Sequence, residues 1–189
     1  KDEVIAQVYF LRSYFIFELS KFFGNVPLAV EDRNGASRIA NTRILFGDQY
    51  NINRVESVNE IYSMLEQDLI EAIPNLPATR PTSETYKVTK GAAQALLGKI
   101  YLFHQNYAAA ATELNNVIDS GVYSLVEGSD YTNLFTFDGE NSAESVFEIQ
   151  YTGVVGNNWD CLYCNAGNYM PQSNGPRSPY PNTVYKEGW

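Results

Sequence analysis

Apolar residues recur with helical spacing near the start of the chain. In residues 4–23 they return every three to four positions, which places them on one face of a helix. The set comprises Val4, Ile5, Val8, Tyr9, Leu11, Phe15, Ile16, Leu19, Phe22 and Phe23. Because Phe10, Tyr14 and Phe17 make the opposite side apolar too, we expect this helix to be buried on more than one side. Gly24 ends it.

Three more helices are predicted by their start and stop signals. Ser57 and Glu60 form a capping box that opens a second helix reaching residue 73. Thr89 can cap a third helix to about residue 105, and Asn106 a fourth to about residue 120. Gly121 is then a helix stop.

The rest of the chain has little periodicity. The stretch YSLVEGSDYTNLF is predicted to be mostly loop with a short helical turn. Residues 145–151 alternate, with Phe147, Ile149 and Tyr151 on one face, which predicts a short strand. Residues 152–189 are rich in Gly, Asn, Pro and Tyr, so we expect irregular structure there.

The third and fourth helices carry the spacing of a tetratricopeptide repeat. The matching residues are Leu97, Gly98, Tyr101, Tyr107, Ala110 and Leu114. Gly98 and Ala110 would let the helix axes approach, and Tyr101 would fill the space beyond them. Two positions depart from the repeat, because Gln94 replaces a large residue and Val122 a proline. An ordinary helical hairpin is the alternative interpretation.

One such repeat cannot bury its own faces, so the first and second helices are expected to form another, degenerate pair. The predicted fold class is therefore mainly α, a tetratricopeptide-like alpha-alpha superhelix of helix pairs. To this we add the short strand and a long irregular loop region. We expect a helical scaffold over residues 1–125 and an irregular, loop-rich ligand-binding part over residues 126–189.

Composition narrows the range of partners. Of the 189 residues 44% are hydrophobic, as in a globular protein, and the net charge of −9 repels phosphate backbones. We therefore expect no nucleic-acid partner. No apolar run is long enough to span a membrane. Because the first helix starts almost at Lys1 and Trp189 ends an irregular tail, we expect the chain to be a fragment of a longer protein.

Candidate catalytic groups are few. His104 is the only histidine, and its place at a helix end without a nucleophile motif nearby favours a structural role. Asp68 adjoins the apolar stripe of the second helix, whereas Glu66 and Glu71 are expected to point to water as a solvated acidic face. Glycoside hydrolysis needs two carboxyl groups across a cleft, which this spacing does not indicate. We therefore predict no catalytic residues.

We predict no metal site and no cofactor. Cys161 and Cys164 form a lone C-x-x-C, which lacks the second pair that zinc would need; a local disulfide and two free thiols both remain open. The segment FDGENSAE clusters oxygen ligands, but its spacing does not match an EF-hand loop.

The tail combines aromatic rings with amides. Sugars present apolar C–H faces and hydroxyl groups, so aromatic rings can stack on them while amides donate and accept hydrogen bonds. The candidate ligand-binding residues are Trp159, Tyr163, Tyr169, Asn157 and Asn158. The alternative is that these aromatic residues only anchor a long loop onto the helices.

Four blocks occur in an order that resembles the SusD/RagB family of Bacteroidetes outer-membrane lipoproteins. They are LRSYFIFELSKFFGNVPL, SVNEIYSMLEQDLIEAIPNLP, KVTKGAAQALLGKIYLFHQNYAAAATELNNVIDSGVYSL and YTNLFTFDGENSAESVFEIQY. The resemblance covers about residues 4–151. It implies a tetratricopeptide-like scaffold that carries an irregular ligand-binding part, to which the chain after the strand contributes.

The same resemblance implies function and location. Such proteins are surface lipoproteins of the outer membrane, attached by an N-terminal lipid that this fragment lacks. They hand polysaccharides or oligosaccharides, or peptides in the RagB branch, to a SusC-like TonB-dependent barrel. The expected function is therefore non-enzymatic glycan capture. The rivals are a tetratricopeptide-type scaffold that binds a protein or peptide and a surface hydrolase with helical repeats.

Overall fold

The computed structural model describes residues 1–28, 54–136 and 139–150 of the chain. Four α-helices lie in these ranges: α1 (Asp2–Phe23), α2 (Val58–Ala72), α3 (Lys90–Phe103) and α4 (Tyr107–Asp119). Short 3-10 helices follow at Ile73–Asn75, Thr82–Glu84 and Tyr131–Phe135. None of the helices in these ranges is long and apolar enough to cross a bilayer.

The predicted caps set the helix ends. Ser57 Oγ accepts a hydrogen bond from the Asn59 amide, and Glu60 Oε1 in turn accepts one from the Ser57 amide, which completes the capping box. Thr89 caps α3 by accepting from the Ala92 amide at 3.2 Å. Gly24 and Gly121 follow α1 and α4 with φ of +66°, a conformation that glycine adopts without steric cost.

Each helix packs against the next one in the chain, and α3 packs most extensively on α4. One apolar core joins α1, α2 and α3, with fully buried side chains from each helix. The largest apolar side chains that are fully buried in it are Phe10, Phe17, Ile61, Leu65, Leu69, Leu97 and Ile100. The mainly α fold with tetratricopeptide-like helix pairs is therefore confirmed.

The α3–α4 hairpin has the packing that the repeat spacing predicts. A Cβ atom at Gly98 would lie 2.8 Å from Leu114 and 3.4 Å from the Ala110 carbonyl oxygen, and Ala110 is buried. Tyr101 is partly buried against the core. Burial raises the pKa of the Tyr101 hydroxyl, and the charges of Glu66 and Glu113 raise it further. Gly98 thus permits the close approach of the two helices.

We expect Gly98→Leu to lower the free energy of unfolding by about 1–3 kcal/mol, because it overpacks this crossing. The steric cost should outweigh the gain of about 1 kcal/mol in helix propensity. Urea denaturation measures the change. Gly128→Leu is the matched control, since a Cβ there meets nothing within 4 Å. An unchanged urea midpoint for Gly98→Leu would contradict the predicted packing.

The orientation of α1 differs from the expectation. Its buried face consists of Ala6, Phe10, Ser13, Phe17 and Ser20. The opposite apolar stripe is exposed, with side-chain exposures from 43% to 79% at Val4, Val8, Leu11, Phe15, Leu19 and Phe22. The prediction that α1 is buried on more than one side is therefore wrong for this chain. Small residues on the Phe10 side allow a close approach to α2, which hydrophobicity alone does not indicate.

The predicted strand is also absent: residues 145–150 form no strand pairing and the backbone bends at Val146, while Tyr151 lies outside the described residues. Val146 and Phe147 both pack against the core, although alternation would place them on opposite faces. Phe147 meets Phe10 edge to face at 5.1 Å. This segment therefore packs onto the helices as an irregular, bent stretch of chain and not as a strand.

The chain divides into two compact units, Lys1–Glu148 and Ile149–Trp189, and all four helices lie in the first. This division follows packing alone. The expected functional boundary, between a scaffold at 1–125 and a ligand-binding part at 126–189, stays a prediction.

Candidate functional site

The five residues selected from the sequence as ligand contacts lie outside the described residues. They are Trp159, Tyr163, Tyr169, Asn157 and Asn158. Cys161 and Cys164 lie outside them as well. The role of these residues therefore stays a prediction.

Two surface cavities border the turn at residues 139–148. The larger has a volume of about 530 Å³ and is bounded by Tyr131 and Phe135 on one side and by this turn on the other. The smaller, about 200 Å³, lies between the turn and the loop from Ala78 to Thr89. Residues 145–148 line both cavities.

An aromatic corner forms one wall of the larger cavity. Tyr131 and Phe135 stand four residues apart on the short 3-10 helix Tyr131–Phe135. Their ring centroids are 5.4 Å apart and their planes meet at 74°. Tyr131 is 57% exposed and Phe135 76% exposed. The pair therefore exposes two nearly perpendicular aromatic rings at the border of the cavity.

The opposite wall carries carboxylates and hydroxyl groups. Glu144 accepts a hydrogen bond from the Val126 amide at 2.6 Å through Oε1. Glu148 accepts from the Asn141 amide through both oxygens, at 3.0 and 3.2 Å. Ser142 and Ser145 also line this wall. The carboxylates thus have fixed positions beside the cavity and keep further lone pairs for a hydroxyl donor.

Gly139 brings the turn and the 3-10 helix together. A Cβ atom at this position would lie 2.3 Å from the Asn133 carbonyl oxygen and 2.7 Å from Leu134 Cα. Any other residue would therefore force the turn away from the helix and change the cavity.

The smaller cavity has a polar wall that is held in place by hydrogen bonds. The Tyr123 hydroxyl lies 3.0 Å from Thr89 Oγ1, and the ring fits closely over Gly91, where a Cβ atom would be 2.5 Å away. Arg80 donates to the Val88 carbonyl oxygen and lies 2.6 Å from Glu3, which lowers the pKa of that carboxyl group. Through Arg80, these contacts connect α1 to the loop before α3, so we assign this wall a structural role.

The acidic residues of α2 are partnered. The interpretation of this face as solvated is wrong for Glu66, whose Oε1 lies 2.6 Å from His104 Nδ1, and the two side chains are only 16% and 24% exposed. Asp68 is buried and pairs with Arg12 through two hydrogen bonds of 2.6 and 2.7 Å. His104 is at the C-terminal end of α3, as predicted. These groups join helices to one another.

Sequence reasoning did not select the aromatic corner. The signal was present as Tyr and Phe four residues apart in YTNLF, followed by Glu144 and Glu148 with the same spacing. Composition favours the tail as a ligand site, because aromatic residues are more numerous there.

Comparisons with known proteins agree on one family. A family model described as "Starch-binding associating with outer membrane", SusD-like_3, matches residues 1–102. SusD-like protein P2 of Formosa agariphila is 29% identical over 161 residues, which make up 82% of this chain and 28% of that protein. A laminarin-binding SusD-like protein of known structure is 30% identical with a TM-score of 0.68, over 82% of this chain and 32% of that chain.

Another similar structure holds a glycan. Surface glycan-binding protein A from Bacteroides thetaiotaomicron, in complex with laminarihexaose, is 26% identical with a TM-score of 0.67, over 88% of this chain and 32% of that chain. The present chain thus spans less than a third of the length of each of these relatives.

Proposed function

This chain belongs to the SusD-like family, and on that premise we propose that it is part of an outer-membrane nutrient-uptake protein. The protein captures glycans at the cell surface and presents them to a SusC-like TonB-dependent transporter. It is a surface lipoprotein, and its contribution is binding and release without catalysis.

The main support is the similarity to a laminarin-binding SusD-like protein and to a surface glycan-binding protein that was solved with laminarihexaose. The laminarin-binding SusD-like protein aligns with 82% of this chain, and the protein solved with laminarihexaose aligns with 88%. A neutral oligosaccharide is therefore the first ligand to test.

The mechanism requires reversible contacts. Aromatic rings stack on the apolar faces of sugars, and polar groups around them exchange hydrogen bonds with hydroxyl groups. Such contacts are individually weak, so a glycan held by several of them can leave when it is presented to a transporter.

Glycan-array binding by the full-length protein tests the function, with a peptide library as the parallel arm. We expect binding to neutral oligosaccharides. Binding to peptides alone would support the alternative peptide-binding scaffold, and turnover of a glycan would support a hydrolase. Either result would contradict the proposal.

The partner is tested by purification from detergent-solubilised outer membranes. We expect a much larger TonB-dependent barrel to purify with the protein. Recovery from the cytosol alone, without such a barrel, would contradict the proposed location and partner.

For the tail we predict stacking by Trp159, Tyr163 and Tyr169, with Asn157 and Asn158 as polar partners. Loss of one stacking ring should weaken glycan binding by about 1–3 kcal/mol, by analogy with base stacking on aromatic rings. Isothermal titration of the full-length protein should show this for the three single alanine variants. Phe22→Ala is the control, since this exposed ring lies on α1. Unchanged affinity in all three folded variants would mean that the tail is structural.

A further inference from the structure

We propose that the larger cavity, between the aromatic corner of Tyr131 and Phe135 and the turn at residues 139–148, binds one ring of a neutral glycan. This inference rests on the proposed function and adds a binding position separate from the tail residues. It concerns residues that all lie in the compact unit Lys1–Glu148.

The first argument is the exposure and geometry of the two rings. Phe135 is 76% exposed and Tyr131 57% exposed, although exposure of large apolar groups next to each other is unfavourable without a ligand or partner. With planes at 74°, one ring can stack on the C–H face of a pyranose while the other borders its edge. A flat apolar partner would use only one of these surfaces.

The second argument is the chemistry of the opposite wall. Glu144 and Glu148 accept hydrogen bonds from backbone amides, which fixes their carboxylates beside the cavity. In the described part of the chain, no partner is found for Oε2 of Glu144. An ionised carboxylate has about four lone-pair sites, so each group can accept from sugar hydroxyls as well. The wall thus complements a ligand that donates hydrogen bonds around its rim.

Charge selects among glycans. Among the described residues that line the larger cavity there are two glutamates and neither lysine nor arginine. The whole chain has a net charge of −9. A uronic acid or a sulfated sugar would therefore be repelled, whereas a neutral hexose would not. The predicted ligand is a neutral glycan.

The size and construction of the cavity fit this role. Its volume of about 530 Å³ falls within the range of roughly 300–1,000 Å³ that is usual for small-molecule sites. The close contact at Gly139 joins the turn to the 3-10 helix, Glu144 ties the turn to the Val126 amide, and the bond from Asn141 to Glu148 closes the turn on itself. The site is therefore formed before the ligand binds, which reduces the entropic cost of binding.

Titration of the full-length protein with laminarihexaose tests the proposal. Tyr131→Ala and Phe135→Ala should each weaken binding about tenfold, the loss expected when one stacking ring is removed. Phe22→Ala is the matched control, because Phe22 is 79% exposed and lies on α1. The affinity of the Phe22→Ala variant for laminarihexaose should equal that of the parent.

The outcomes separate this inference from the proposed function. If the parent binds no neutral oligosaccharide at all, the proposed function fails. If the parent binds laminarihexaose and both folded variants bind it equally well, the function stands and this site is overturned.

A second readout covers the case in which an alanine variant does not fold. Phe135→Trp keeps an aromatic ring at the cavity and adds the fluorescence of one tryptophan to that of the parent protein. We expect that added emission to shift when laminarihexaose is titrated to saturation. Unchanged emission at saturation would overturn the site.

The charge argument has its own test. Glu148→Gln keeps an oxygen acceptor for the Asn141 amide and removes one negative charge. We expect the parent to bind laminarihexaose at least tenfold more tightly than a hexauronate, and Glu148→Gln to reduce that preference. Equal binding of the two glycans by the parent would contradict the selection of neutral sugars.

Discussion

Phe17→Ala is expected to lower the free energy of unfolding by about 3–5 kcal/mol, the usual cost of removing a fully buried aromatic ring. Phe17 has no exposed surface. Its ring meets Phe103 edge to face at 5.1 Å and Tyr62 at 6.2 Å, so it joins α1, α2 and α3 at one point. Alanine would leave a cavity where the three helices meet.

Phe15→Ala is the matched control for this prediction. Phe15 lies two residues away on the same helix but is 59% exposed, so its loss should change the free energy of unfolding by only about 0.5 kcal/mol. Urea denaturation of both variants measures the difference. Equal losses would mean that α1 buries the stripe that the hydrophobic pattern favours, and the described orientation would be wrong.

The buried face of α1 could have been read from residue size. Ala6, Phe10, Ser13, Phe17 and Ser20 alternate spacings of four and three, the seam of two packed helices. Small residues alternate with the two rings, which lets α2 approach while the rings fill the gaps. Hydrophobicity alone favours the opposite stripe, because serine and alanine contribute little to it.

Residues that lie close together in the chain predicted the helix ends and the α3–α4 contact most reliably. The caps at Ser57, Thr89 and Asn106 depend on residues at most three positions apart, and all three are present. The spacing of Gly98 and Ala110 across one short turn likewise predicts their contact. Alternation was misleading at Phe147, because Val146 and Phe147 both pack against the core, whereas a strand would place them on opposite faces.

Pairs that are distant in the chain could not be predicted. Glu66 meets His104 and Asp68 meets Arg12 across 38 and 56 residues, and nothing in a single sequence relates such positions. The larger cavity could not be predicted from the sequence for the same reason. Its walls come from two nearby segments, but their approach depends on a backbone contact at Gly139 that the sequence shows only as a glycine.

Arg12→Ala is expected to cost about 3–5 kcal/mol of unfolding free energy, the range for breaking a buried ion pair by removing one partner. The guanidinium donates to both oxygens of Asp68, at 2.7 Å from Nε and 2.6 Å from Nη2. The Asp68 side chain is only 1% exposed. Without Arg12 the carboxylate would lose its charged partner while remaining buried against α1.

Removing Arg12 and removing Asp68 should not cost the same unfolding free energy. The Arg12 side chain is 25% exposed, so in Asp68→Ala it can turn toward water, and we expect a smaller loss than in Arg12→Ala. The double variant should lose less than the sum of the single losses, because removing Asp68 also removes the stranded charge. Urea denaturation of the parent, the two single variants and the double variant measures these losses as a double-mutant cycle.

Lys21→Ala is the control for an exposed pair. Lys21 lies 2.6 Å from Glu18, but the two side chains are 25% and 32% exposed, and neither end is buried as Asp68 is. Such surface pairs contribute at most about 1 kcal/mol. If Arg12→Ala costs no more than Lys21→Ala, the predicted cost of breaking this buried ion pair is contradicted. The contact between α1 and α2 would then depend on Phe10, Phe17 and their apolar neighbours, together with the hydrogen bond from Ser13 to the Leu65 carbonyl oxygen.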